Sequence, residues 1–132
     1  MRNKMCLASS DAQKIVAACR VEAEKNKWAV SIAVVDDGGF LVHLERLDGA
    51  IGQSAAIATL KAQTAAMSRT PTKTLEDIVK ERPATGAFPG RLAVQGGVPI
   101  LYQGECVGAV GVSGVKLFED EQVAKAGLHA IG

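Results

Sequence analysis

The sequence predicts a single α+β domain over residues 1–132, built as an antiparallel sheet of about five strands with helices covering its faces. Three observations carry this. The hydrophobic period switches repeatedly between helical and strand spacing along the chain. The strand-like runs come in pairs joined by Gly-containing turns, which makes hairpins rather than crossovers. And 132 residues can bury roughly two thirds of the extended chain's surface in one core, with no linker, repeat or low-complexity stretch to divide it.

Residues 11–27 carry Ala12, Ile15, Cys19 and Ala23 at helical spacing, with Ser10 and Gln13 set as a capping box and an end expected near Asn26. The period then changes in WAVSIAVVDDGGFLVHLERLDG: Val30, Ile32 and Val34 mark a strand, DDGG a tight turn, and residues 40–47 the returning strand. Strict alternation puts Phe40, Val42, Leu44 and Arg46 on one face and Leu41, His43, Glu45 and Leu47 on the other. The first face is the apolar one, so His43 and Glu45 are expected to point outward or beneath another subunit.

Asp48 is read as the cap of a helix over about residues 50–68, whose interior is dominated by Ala55, Ala56, Ala58, Ala62, Ala65 and Ala66. A helix so poor in bulk can sit very close to a sheet, and Lys61 has room to reach beyond its small neighbours. Pro71 closes that helix by restricting the residue before it. Thr74 and Asp77 can cap a short helix over LEDIVKER, which Pro83 stops, and residues 83–90 have no period and form a loop. From Leu92, the segments LAVQ, GGVPILYQ and ECVGAVGVSG read as three strands with a turn at Gly104. Gly96-Gly97 ahead of Val98-Pro99 marks a bend, or a place where a ligand approaches backbone. The chain closes on EDEQVAKAGLHAI, a helix whose acidic first turn suits the dipole.

Composition narrows the function classes. Hydrophobic residues are 48% but aromatics only 4%, so the core must be Ala, Val, Ile and Leu. Fifteen basic and fourteen acidic residues leave a net charge of +1, scattered along the chain, which gives no field for a nucleic-acid partner and little self-repulsion against association. Cys6, Cys19 and Cys106 form no C-x-x-C pair, so neither a disulfide framework nor a zinc site is expected, and Cys19 reads as a small core residue. No segment reaches the roughly 18–20 apolar residues of a membrane span, and MRNKMCLASSD turns polar at once, so the expected compartment is the cytoplasm. A P-loop, a dinucleotide fingerprint, H-E-x-x-H and G-x-S-x-G are all absent. Asp36 and Asp37 sit side by side in a hairpin turn, where adjacent residues face opposite ways; turn formation is the simpler role. His129 falls at a helix end, whereas His43 sits mid-strand beside Glu45, where it is either a structural residue or an axial ligand for a haem.

Taken in order, VVDDGG, ERLDGA, KAQTA, FPGRLxxxGGVPI, GECVGAVGVSG and EDExVAxAG resemble the GlcG/HbpS-like family, also called the haem-degrading or DUF336 family, which includes the C-terminal domain of some PduO-type proteins. The resemblance runs from about residue 9 to the C-terminus. Each motif alone is weak, but the ordered set is specific. It implies a profilin-like three-layer α/β/α arrangement with a five-stranded antiparallel sheet, assembled into dimers or higher oligomers; a symmetric dimer is expected as the building block, alone or within a larger ring or octamer. Relatives include haem binders and proteins of catabolic operons without an assigned reaction, so fold leaves function open. The matched positions are Asp36, Arg46, Asp48, Lys61, Gly96, Gly97 and Pro99. They either surround one pocket, with Arg46 and Lys61 neutralising an anionic group near glycine N–H groups, or serve structure: Arg46–Asp48 as a helix-start salt bridge, Lys61 capping carbonyls and the glycines shaping strands. The stretch GVKLFED is bulkier than the glycine-rich continuation of relatives, and Leu117 and Phe118 line a pocket or a subunit contact.

Two functions follow as expectations. One is a small-molecule-binding homo-oligomer taking haem or another tetrapyrrole, with His43 as axial group and Gly96, Gly97, Pro99 and Phe118 around the ligand. The other is a cofactor-independent catabolic enzyme acting on a small carboxylate or carbonyl compound, with Lys61 and Arg46 holding the anionic part and Asp36 or Glu45 as base.

Overall fold

The computed structural model describes residues 1–131. Helix α1 (Ser9–Lys25) leads into strands β1 (Ser31–Asp36) and β2 (Leu41–Arg46); α2 (Gln53–Ser68) and α3 (Thr72–Glu81) follow. A short 3-10 turn (Pro83–Ala87) precedes strands β3 (Gly97–Tyr102) and β4 (Glu105–Ser113), and α4 (Leu117–Leu128) with a final 3-10 turn (His129–Ile131) ends the chain. The sheet is antiparallel throughout, in the order β2-β1-β4-β3.

Three layers follow from how the strands divide their side chains. Ile32, Val34, Val110 and Val112 join Ala12, Ile15, Cys19, Val123 and Ala124 in the main core, which places α1 and α4 on one face. Ala33, Val35 and Ala109 meet Ala58, Ala62, Ala65 and Ala66 of α2 on the other. Cys19 is the small buried residue its spacing predicts, its thiol pushed up to about 12 by burial. The alanine helix lies as close as its sequence suggests. Gly97 of β3 and Gly111 of β4 are paired neighbours, and a Cβ on them would run into the backbone carbonyls of Lys61 and Ala58 respectively.

The sheet has four strands, not the five expected. Residues 92–95 have strand-like composition, yet the N–H groups at both ends are taken by helix side chains, Leu92 donating to Thr64 Oγ1 at 2.9 Å and Gln95 to Glu76 Oε1 at 3.2 Å, and the Val94 N–H turns back to Leu92 O. Helix starts differ too. On α1 the N-cap is Ala8, whose N–H donates to Asp11 Oδ2 at 2.9 Å, rather than a Ser10/Gln13 box. The α2 N-cap is Gly52, so Asp48 lies in the preceding turn. Thr72, not Thr74, opens α3 behind Pro71, and its buried hydroxyl accepts the Gly97 N–H at 2.8 Å.

One irregularity redirects side chains on β2. Val34 pairs with His43 and Val35 with Leu41, which leaves Val42 as the extra residue of a bulge. Val42 packs on the core beneath α1 instead of sharing the Leu44–Arg46 face that simple alternation assigns it.

Candidate functional site

The predicted residues fall in three places. At the hairpin tip, Asp36 Oδ1 accepts the N–H groups of Gly38 at 3.0 Å and Phe40 at 2.9 Å, while the Asp36 N–H donates to Phe40 O at 2.8 Å. The carboxylate thus shapes the turn, an Asx arrangement that lets the chain reverse through Gly39 at φ +87°.

On β2, His43 and Glu45 share the α1 side and Arg46 the α2 side. The register sets this, for His43 and Glu45 lie opposite Val34 and Ile32 of the main core, and Arg46 opposite Ser31. Glu45 Oε2 accepts from Arg20 Nη1 of α1 at 3.0 Å, so it is paired rather than free. His43 is half-buried on the sheet's edge strand, flanked in sequence by the exposed apolar residues Phe40 (75%), Leu41 and Leu44. Beyond Glu45 the same side opens into a cleft of about 330 Å³, where Arg20, Lys27, Trp28, Leu47 and Asp48 meet.

The third place is interior. Lys61 is 1% exposed, and its Nζ donates to Val112 O and to Asp120 Oδ2, both at 3.0 Å; Asp120 is 1% exposed as well. The other Asp120 oxygen accepts the Val115 N–H at 3.1 Å. This pair joins α2 to α4 across the sheet. Burial pushes the Asp120 carboxyl above its ordinary value, with the Lys61 charge and the Val115 N–H pulling against it. Gly96 makes room for the ammonium: its backbone is at φ +134°, and a Cβ there would lie 2.7 Å from Nζ. Gly97 and the buried Pro99 line the α2 side of β3. Phe118, on the first turn of α4, is 60% exposed.

Lys61, Gly96 and Gly97 are therefore brought together, but around an internal ion pair, and Asp36, His43, Glu45, Arg46 and Phe118 stand apart from them. Sequence reasoning missed Asp120 and Arg20. The signal for Asp120 was a buried-helix lysine with no anion nearby in sequence; its partner is 59 positions away, beyond any local pattern. Arg20 sits four residues before Glu24, and that i,i+4 spacing hides its second partner across on β2. No group of three His, Cys, Asp or Glu side chains is arranged to hold a metal among the described residues, nor is any helix there long and apolar enough to cross a membrane. The α1 side of β2 thus carries a half-buried imidazole, an indole and cations, while the exposed Leu41 and Leu44, opposite Val35 and Ala33, lie on the α2 side.

Comparison with known proteins agrees with the fold. A family model described as haem degrading protein HbpS-like matches residues 7–129. The GlcG protein of Escherichia coli K12 is 46% identical over 114 residues, 86% of this chain and 85% of that one. The crystal structure of a double mutant of Streptomyces reticuli HbpS superposes with a TM-score of 0.93 at 35% identity, covering all (100%) of this chain and 91% of its own. A crystal structure of a PduOC haem complex matches at a TM-score of 0.88 over 97% of this chain and 96% of its own, at 24% identity, a likeness of fold. With the family model spanning nearly the whole chain and GlcG so similar in sequence, this protein belongs to the HbpS-like family.

Proposed function

We propose that this protein is a cytoplasmic homo-oligomer that binds haem or a related tetrapyrrole on the β2 face, with His43 as the axial group. The observation that carries the reading is the half-buried His43 imidazole on the α1 side of an edge strand, in a chain whose family is described as haem degrading. A single copy offers a face rather than a slot. The residues of the α1 side fit the group in kind: the His43 imidazole for the iron, and in the neighbouring cleft the Trp28 indole for the ring and Lys27 as a cation for a propionate. A second copy laid along the same edge strand would cover the exposed Leu41 and Leu44, and a dimer is then the building block of any octamer. We also group the three layers with the profilin-like α/β/α folds, on the strength of two hairpins sandwiched between α1/α4 and α2.

Haem supplies a redox-active iron when bound. The chain's part would be to hold it: His43 would bind the iron, and the Arg20–Glu45 pair ties α1 to the same side of β2. The alternative, acid/base chemistry on a small carboxylate by Lys61, Arg46, Asp36 and Glu45, has less support, since Lys61 is sealed against Asp120 and Glu45 and Arg46 lie on opposite faces of β2. The test is an absorbance titration with haemin. The expected result is a saturable Soret shift that His43→Ala abolishes while the far-ultraviolet circular dichroism is unchanged. An identical shift in the variant would remove His43 from the site.

A further inference from the structure

We infer a second ligand site, separate from the β2 face, that takes a small carboxylate with an apolar body. A cleft of about 320 Å³ opens where the N-terminal arm, the first turns of α1, the β3–β4 hairpin and the C-terminal turn converge. That is the lower end of the range for small-molecule pockets, large enough for a short or single-ring acid.

Its floor is apolar and fixed. Leu7, Val107 and Ile131 line it together with the Tyr102 ring, and all four belong to or pack against the main core. Its rim is polar and uneven in how far its groups are already used. The Asp11 carboxylate is engaged by the Ala8 N–H at 2.9 Å, which caps α1. Lys14, one turn further along the helix, has no carboxylate within 4.0 Å among the described residues, and the Tyr102 hydroxyl makes no hydrogen bond among them either. An apolar floor with an ammonium and a phenol that have no partner among the described residues is complementary to an apolar body bearing a single carboxylate. The ammonium pairs with one oxygen and the phenol donates to the other. Among the described residues Asp11 is the one carboxylate of the lining, and it is held by the Ala8 N–H.

The site is tested on the full chain by following backbone amide resonances during titration with benzoate and with benzamide, its neutral counterpart of the same shape. Benzoate is expected to saturate with a Kd of about 1 mM, the affinity that roughly ten non-hydrogen atoms reach at modest efficiency. The shifts should centre on Leu7, Val107 and Ile131. Lys14→Ala should weaken benzoate about tenfold, as the loss of one charge-assisted hydrogen bond does, and benzamide should bind about tenfold more weakly to the native chain. His43→Ala should leave benzoate binding unchanged, which separates this site from the haem reading. Absence of saturable shifts at Val107 and Ile131, or equal affinity for benzamide, or no effect of Lys14→Ala, overturns the assignment.

Discussion

Lys61 shows how a side chain that looks catalytic in sequence becomes structural in the fold. Its ammonium is out of contact with water and meets Asp120 and Val112 O at 3.0 Å. Removing one partner leaves an uncompensated buried charge, so Asp120→Ala should cost about 3–5 kcal/mol of stability. The double replacement Lys61→Met with Asp120→Leu should cost less than either single change, measured by urea denaturation. The Asp120 carboxyl also carries a pH signature. Because burial raises it in the folded state above its ordinary 3.8, the folded chain holds a proton there that the unfolded chain has released. Native stability relative to Asp120→Asn should therefore fall as pH rises from about 3.8 through the raised folded value. The opposite slope would show that the Lys61 charge outweighs burial. At this scale the sequence was legible where a residue's role is local: Asp36 in its turn and Cys19 in the helix stripe. It was silent where the role depends on a partner far along the chain, as with Lys61 and Asp120 or Arg20 and Glu45.

Among the elements, α2 is the one whose composition dictated its packing. Its alanines let the helix backbone approach β3 and β4 until only glycine fits at positions 97 and 111. Gly111→Ala would push a methyl into the Ala58 carbonyl and the Ala62 amide, neither of which can rotate away. A loss of about 3 kcal/mol or more is expected in thermal or urea unfolding. Gly52→Ala is the control: its φ of −56° suits any residue, and its nearest new contact, Arg46 Nη1 at 3.5 Å, is ordinary. It should change stability by no more than about 1 kcal/mol, in either direction. The helix–hairpin order was readable from period and turns. The fifth strand was not, because residues 92–95 look like a strand and are prevented from being one by Thr64 and Glu76, 28 and 19 positions away. The β2 bulge escaped for the same reason: alternation cannot say which residue the neighbouring strand will leave unpaired.

For the whole molecule, the ordered motifs were enough to identify the family, which fixes a fold more than a site. What they could not reveal is that the matched residues divide between an internal ion pair, a turn and an outer strand. That outer strand is where assembly and ligand meet in our account. Phe40, Leu41 and Leu44 are too exposed and too apolar to face water at no cost, and a net charge of +1 sets little repulsion against pairing. Leu44→Asp should convert the native oligomer to monomers at micromolar concentration in light scattering without unfolding it; a monomeric native chain would contradict the assembly outright. The most direct measurement of the central claim is native mass spectrometry of the chain mixed with haemin. Haem is expected on dimers or larger species of the native protein, at one per copy or one per pair, and on none of the His43→Ala assemblies of the same size. Haem carried equally by the variant, or by no species of the native chain, would contradict it.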